Sequence, residues 1–352
     1  QFKGHNEPLY KNPITQEPIN LGELAHIYSF SRNGPHGWGP FSNKKELNQI
    51  ENLMLLCPSC HKTVDNNKGE RYPVELLQKW KRDHERRVWI TSGIDPKHRS
   101  YPVSYHSRIG EFVPRFDKNK ALEAMFPHKY PAQEDVLNLS SKPGTDDSQQ
   151  PHWEAERASL TRHFERKVLP ILEDQPDAHF SLFALAPMPL LMQLGALFSD
   201  LNHLDVYQPI REPAGWQFED FPEDFEFIIT RPTSANGRPV IALSLSTKLR
   251  PERITDTLGD GVDIFEISVP ANFQHNDFIR SREQIQLFKQ AFRKVIAEIE
   301  GQYPKQDLSI FPIIPVSCAI SLGLCRQHKP AFPWVIYDQN NKAGGFTQTI
   351  TL

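Results

Sequence analysis

One segment of the chain occurs twice. Ser181-Leu-Phe-Ala-Leu-Ala-Pro187, running on to Leu194-Gly195, aligns without gaps to Ser309-Ile-Phe-Pro-Ile-Ile-Pro315 and Leu322-Gly323. Serine, phenylalanine, proline, leucine and glycine recur at matching positions, and most other positions exchange one apolar residue for another. Each copy reads as a buried strand, a tight turn at proline and a helix. A further apolar strand follows each copy, at residues 204–207 and 334–337. A βαβ unit is therefore present twice, and two parallel-sheet halves facing each other are predicted. Such sheets take ligands at the carboxyl ends of their strands, where helix N-termini favour anions. A duplicated version suits a two-fold-like ligand with more than one phosphate.

At 352 residues the chain has room for two or three domains, each with its own core. Its formal net charge of −3 is unevenly spread: residues 1–88 hold 13 Lys/Arg against 10 Asp/Glu, the remainder 27 against 33. A basic end on a mildly acidic body fits a nucleic-acid contact confined to that end. Ordinary surface variation fits the same totals. Four cysteines make no disulfide framework. Cys318 and Cys325 lie in apolar surroundings typical of buried thiols, and a reducing cytoplasm is expected. No signal peptide is visible, although the chain begins at Gln1 without methionine, so some N-terminal residues are expected to be missing. The apolar run at 182–198 is broken by Pro187 and Pro189 and lacks the roughly 20 unbroken apolar residues of a membrane span. A soluble protein with no membrane partner is expected.

The chemistry-bearing side chains are concentrated in residues 51–65, ENLMLLCPSCHKTVD. If His61 opens a helix, it shares a face with Asp65, their Cβ atoms about 5–6 Å apart. One face then presents an imidazole and a carboxylate to a single divalent cation. Cys57 and Cys60 stand at zinc-knuckle spacing. A redox pair is the alternative for the cysteines, and a solvated helix acid for Asp65. Ahead of this stretch come a strand end at Leu24-Ala25-His26-Ile27 and a Gly/Pro-rich loop at 31–40. Pro73 opens a second helix, running through Val88, with a basic flank of Lys79, Lys81, Arg82, Arg86 and Arg87.

Ala25-His26-Ile27 followed by ENLMLLCPSCHKTVD closely resembles the HNH (ββα-metal) endonuclease family. The resemblance implies that His26 is the general base that activates water. It implies that Asn52 holds the His26 loop, and that His61 and Asp65 bind the catalytic cation, magnesium or manganese. A neutral imidazole suits the first task and a cation suits the charge that develops during phosphodiester cleavage. Many relatives carry Asp or His as a further metal ligand where this chain has Ala25. Zinc-bearing relatives have a cysteine where this chain has His5. A structural zinc held by His5, Cys57, Cys60 and a ligand before Gln1 is therefore expected.

Residues 89–150 show no clear period. Pro96, Pro102, Pro114, Pro127 and Pro131 punctuate them, a short helix is predicted at 118–125, and 140–150 reads as a linker. The stretch reads as a connector that packs on its neighbours. An amphipathic helix with Trp153, Leu160, Phe164 and Val168 on one face is predicted over 153–172.

The second half resembles the SAVED domain, itself similar to two fused CARF domains that sense cyclic oligonucleotides in bacterial antiphage signalling. The resemblance rests on FALAPMPLLMQLGALFSDL, Trp216-Gln217-Phe218, ALSLSTKL and IPVSCAISLG in that order, behind an HNH domain. The whole chain resembles an HNH–SAVED effector of CBASS immunity in the bacterial cytoplasm. That family implies a DNase for double-stranded DNA. The resemblance also implies activation by a cyclic di- or trinucleotide and a homo-oligomer, a dimer at rest and of higher order when active. Ser246, Thr247, Lys248 and Arg250 follow the strand at 240–245, where phosphates are favoured. Trp216 is a candidate for stacking on a base, with Arg211 near it in sequence. Pro187-Met188 and Ser317-Cys318 are the paired backbone cradles. The core is the alternative place for Trp216, and a plain surface charge the alternative for Arg250.

The expected architecture is multidomain, α+β then α/β. A ββα-metal HNH domain with a zinc knuckle spans 1–88, a connector 89–150, and two fused Rossmann-like, CARF-like halves forming SAVED 151–352. A nuclease without gating, its C-terminal domain structural, is the alternative, and a non-catalytic DNA-binding module is a third.

Overall fold

The computed structural model describes residues 9, 17, 19–92, 95–141, 150–198, 203–221, 225–326, 332–340 and 344–352. The chain divides into two compact units, Gln1–Asp95 and Pro96–Leu352. In the first unit, strands β1 (Glu23–His26) and β2 (Leu53–Leu56) pair antiparallel, followed by helices α1 (Pro58–Asp65) and α2 (Val74–Ser92). Ala25, Ile27, Met54 and Leu56 point to one side of the hairpin and bury against Val64 of α1 and Leu77 of α2.

The second unit opens with β3 (Arg99–His106), α3 (Lys118–Met125), β4 (Tyr130–Pro131) and β5 (Leu137–Asn138). Next come α4 (Gln150–Lys167), α5 (Leu169–Asp174), β6 (His179–Leu185), α6 (Met188–Phe198) and β7 (His203–Tyr207). Then follow β8 (Ile228–Thr230), β9 (Arg238–Ser244), α7 (Pro251–Leu258), β10 (Val262–Ser268) and α8 (Arg282–Gln302). The chain ends in β11 (Leu308–Ile313), α9 (Val316–Leu324), β12 (Trp334–Asn340) and β13 (Gly345–Thr351).

Among the described residues these strands make two sheets. One is all parallel, in the order β4-β3-β6-β7 with β5 also on β3. The other runs β13-β12-β11-β9-β10-β8, parallel at its centre and antiparallel at both edges. The expected duplication is therefore present. β6-α6-β7 matches β11-α9-β12, and β3 stands to the first copy as β9 stands to the second. Both faces of the central strands are covered, which is why they read as near-continuous apolar runs. In β9, Ile241 and Leu243 face the core shared by the halves, while Val240 and Ala242 face a smaller cluster with Phe311 and Tyr337.

Two expectations are corrected. The stretch read as a connector supplies β3, which pairs with β6 over Tyr101–His106 and belongs to the first sheet. Pro102 disguises it, since proline argues against a central strand. On the side away from β6, β4 pairs with Arg99 and Ser100 and β5 with Val103 and Ser104, so the ladder there is interrupted at Pro102. The single helix predicted over 153–172 is two helices that break at Val168. Pro170, in the first turn of α5, cannot donate to the preceding turn and clashes with it. Trp153, Leu160, Phe164 and Val168 are buried on one face as expected. The apolar run at 182–198 is β6 and α6, and no helix among the described residues is long and apolar enough to cross a membrane.

The halves meet where α6 and α9 cross. A Cβ on Gly195 would lie 2.0 Å from the carbonyl oxygen of Ile320, and one on Gly323 would lie 2.0 Å from that of Met192. The two helices touch backbone to backbone, reciprocally, at the glycine that recurs in the repeat. Gly195→Ala and Gly323→Ala are each expected to lower stability by about 2 kcal/mol or more, because backbone must move to admit a methyl group. Gly301→Ala, in α8 with open space around it, is expected to be neutral or to stabilise by up to about 1 kcal/mol. Urea unfolding of the three variants checks the reversal of sign.

Two histidines of the first half are held neutral. His106, at the end of β3, packs its ring 4.8 Å from Phe116 with Nε2 buried, and burial lowers its pKa to about 4. His179 is lowered as well, by burial, against an opposing pull from Asp205. An unfolded chain protonates both near pH 6.5, the folded chain only near 4. Their contribution is thus fully present above about pH 6.5 and is lost as pH falls toward 4, at about 1.4 kcal/mol per pH unit for each group. Melting temperature measured from pH 7 to 4.5 is expected to fall with acid, and less steeply in His106→Phe.

Candidate functional site

The hairpin of the first unit aims its polar groups by strand alternation. Glu23 pairs with Leu56 and Ala25 with Met54, so Glu23 and Ala25 lie on the side covered by α1. His26, opposite Leu53, lies on the other side. Asn52 is buried just before β2 and clasps the chain after β1 in both directions. Its Oδ1 accepts from Tyr28 N at 2.8 Å, and its Nδ2 donates to Tyr28 O at 3.0 Å and to Leu47 O at 2.9 Å. His26 Nε2 lies 2.9 Å from Asn48 Oδ1. An amide oxygen only accepts, so Nε2 carries the proton and Nδ1 is the basic nitrogen.

Cys57 caps α1, its Sγ accepting from Cys60 N at 3.4 Å, and Pro58 fills the first helical position. That start places His61 one turn in and Asp65 at the helix end. His61 Nε2 and Asp65 Oδ2 are 3.6 Å apart, and His61 Nδ1 lies 2.8 Å from Glu23 Oε2. Glu23 carries no signal in the sequence beyond being an acid in a strand. Its contact with His61 depends on the pairing of β1 with β2.

Among the described residues no group of three or more His, Cys, Asp or Glu side chains is placed to hold a metal ion. An imidazole nitrogen and a carboxylate oxygen on a partly exposed patch nevertheless fit magnesium or manganese, which keep several waters. For zinc, Cys57 and Cys60 fit half of a tetrahedral set. His5 lies outside the described residues. Burial acts to raise the Cys57 thiol, but hydrogen bonds from Ser59 and Cys60 outweigh it and leave its pKa below the ordinary value. Burial and the neighbouring Cys57 push Cys60 up to about 11.

The second unit holds a cavity of about 780 Å³ at the carboxyl ends of its parallel strands. The first half contributes Leu185 and Met188 around the start of α6, and Gln208 and Arg211 beyond β7. The second contributes Ile314, Pro315 and Val316 at the start of α9. Arg115 and Lys120, from the segment after β3, line it as well and were missed in the sequence because they follow a strand disguised by Pro102. Asp117 caps α3 through the N–H groups of Asn119 and Lys120, and Asp277 accepts from Arg211 N at 3.2 Å. Two carboxylates are thus engaged with backbone, while three cationic side chains border the space.

Of the residues expected to hold a ligand here, Met188, Arg211 and Trp216 line the cavity. Trp216 is 8% exposed, lies nearly perpendicular to Phe183 at 5.3 Å between ring centroids, and belongs to an aromatic cluster with Tyr207. Pro187 precedes the lining residue Met188 and accepts from Leu190 and Leu191 N–H groups through its carbonyl. Ser317 is fully buried, both its N–H and its hydroxyl donating to Gln208 Oε1 at 2.9 and 2.7 Å. Cys318 is a core thiol raised by burial. Ser246, Thr247, Lys248 and Arg250 do follow a strand, β9, but lie outside the lining of this cavity. They occupy in the second half the place that the Arg115 segment occupies in the first.

A family model for a sensor domain described as SMODS-associated and fused to various effectors (SAVED) matches residues 160–352. A model for an HNH endonuclease matches residues 10–68. Among solved structures, the Acinetobacter baumannii Cap4 SAVED/CARF-domain containing receptor with the cyclic trinucleotide 3'3'3'-cAAA is similar at 12% identity and a TM-score of 0.43, over 88% of this chain and 62% of that one. The Moraxella osloensis Cap4 SAVED/CARF-domain containing receptor is similar at 13% identity and a TM-score of 0.39, over 89% of this chain and 61% of that one. The chain thus spans less than two thirds of the length of these receptors. Among curated proteins none matches it.

The Asn52 clasp generates a direct test. Asn52→Ala leaves Tyr28 and Leu47 backbone groups unpaired in a buried place, and is expected to cost about 2–4 kcal/mol. Asn52→Asp keeps the acceptor and is expected to fall between. Thermal unfolding of the first unit, followed within the full chain, reads both.

Proposed function

The chain belongs to the SAVED family, on a match to more than half its length, and its residues 10–68 match an HNH endonuclease domain; we propose that it is a nuclease that cuts double-stranded DNA when a cyclic di- or trinucleotide binds the SAVED domain and drives assembly of a higher-order homo-oligomer, as a defence against phage in the bacterial cytoplasm. The observation that carries the gated reading is the cavity between the two halves, bordered by Arg115, Lys120 and Arg211 and by the starts of α6 and α9. Guanidinium, ammonium and helix N-termini are the groups that bind phosphodiesters. A volume of about 780 Å³ accepts a ligand larger than a mononucleotide.

In the first unit, His26 Nδ1 takes the proton of the attacking water while Asn48 holds the ring by Nε2. Asn52 fixes the backbone that carries His26. His61 and Asp65 bind the divalent cation, which when bound stabilises charge on the phosphate. Cys57 and Cys60, with His5, are proposed to hold a structural zinc that secures the start of α1. Exposed Lys79, Arg82, Arg86 and Arg87 on α2 supply positive charge for the DNA backbone.

Plasmid cleavage in magnesium, with and without a panel of cyclic di- and trinucleotides, tests the proposal. Cutting is expected with a particular cyclic nucleotide and not without it, and His26→Ala is expected to lose it by about 10²–10⁴-fold. Arg115→Ala with Arg211→Ala is expected to raise the nucleotide concentration needed by about tenfold or more. Equal cutting without nucleotide would replace gating by a constitutive nuclease, and full activity in His26→Ala would overturn the catalytic assignment.

A further inference from the structure

We propose that Glu23 is a positioning residue for the hydrolytic site: it fixes the tautomer and the ring orientation of His61, so that Nε2 is the nitrogen presented beside Asp65. Glu23 has this role only if His61 and Asp65 hold the cation, as proposed above.

The placement follows from register. Residues at even spacing along β1 share a face, so Glu23 projects to the same side as Ala25, toward α1. Ala25 has no donor atom and is buried in the apolar cluster beneath α1. Glu23, two residues earlier on that face, reaches His61, with Oε2 at 2.8 Å from Nδ1. A carboxylate accepts, so Nδ1 carries the proton, and in the neutral ring the lone pair is left on Nε2, the nitrogen 3.6 Å from Asp65 Oδ2. In the other tautomer Nε2 carries a proton and has no lone pair for a cation. A ligating histidine whose second nitrogen donates to a carboxylate is held in both tautomer and orientation.

Magnitudes separate this role from a structural one. The side chains of Glu23 and His61 are 48% and 28% exposed. A carboxylate–imidazole contact so open to water adds at most about 1 kcal/mol to stability. Orientation of a metal-binding imidazole is worth about 10–100-fold in affinity. Glu23→Ala is therefore expected to leave the melting temperature nearly unchanged and to weaken the site.

The test uses the full chain. Ring ¹⁵N shifts of His61, assigned by loss of the signals in His61→Ala, are measured without metal in wild type, Glu23→Ala and Glu23→Gln. Mn²⁺ affinity is measured by electron paramagnetic resonance titration on the same proteins. Wild type is expected to show the Nδ1–H tautomer and Glu23→Ala a shift away from it, with Mn²⁺ binding weakened about 10–100-fold. Glu23→Gln, whose amide oxygen still accepts from Nδ1–H, is expected to restore most of both. An unchanged tautomer in Glu23→Ala would overturn the proposal. So would Mn²⁺ binding in Glu23→Gln as weak as in Glu23→Ala, since that would make Glu23 a direct ligand. Unchanged Mn²⁺ affinity in Asp65→Ala would remove the cation site itself, a separate failure that the metal-free shifts keep distinct.

Discussion

The second unit depends on one contact, the crossing of α6 and α9 without side chains between them. Gly195 and Gly323 each press against a backbone carbonyl of the other helix, so the two βαβ copies are joined at a distance that any Cβ would widen. Around this point α6 and α9 are buried on almost every side. The helix starts then fall on one edge of the unit, beside the carboxyl ends of β6 and β11. The cavity is the space left between those ends, and its cationic border comes from segments that the strands deliver there.

The two copies are alike in their strands and helices and unlike in what they present. After β3 the chain brings Arg115 and Lys120 to the cavity, whereas after β9 the segment with Thr247 and Lys248 stays outside its lining. Gln208 of the first half accepts two hydrogen bonds from Ser317 at the start of α9. One helix start is therefore partly closed by a side chain of the other half, and the cavity is asymmetric although the scaffold is duplicated.

In the first unit the polar chemistry rests on an equally small framework. Asn52 ties the chain after β1 to the start of β2, two strands of four residues each, through three bonds to backbone, and Cys57 with Pro58 sets where α1 begins. With those points set, His26 and the His61–Asp65 pair fall on defined sides of the hairpin. Half-buried His26 and His61 gain definition from Asn48 and Glu23, which hold one nitrogen of each imidazole.

What was legible in the sequence is what short-range geometry encodes. Residues 51–65 contain a strand, a cap and a helix whose i,i+4 face is set by the helical period, so the pairing of His61 with Asp65 could be read directly. The repeat displayed its βαβ units because buried parallel strands require unbroken apolar runs. The β3 strand was hidden, since Pro102 breaks the pattern of a central strand and is tolerated only where a neighbouring ladder is interrupted. Glu23 beside His61, Asn48 beside His26, and Arg115 and Lys120 at the cavity were decided by strand register and by the way two halves pack. The same long-range packing kept Ser246, Thr247, Lys248 and Arg250 away from that cavity and committed Ser317 and Cys318 to the interior. Local periodicity, a property of neighbouring residues, determined the elements; the meeting of residues far apart in the chain, a property of the packed whole, determined which side chains share a site.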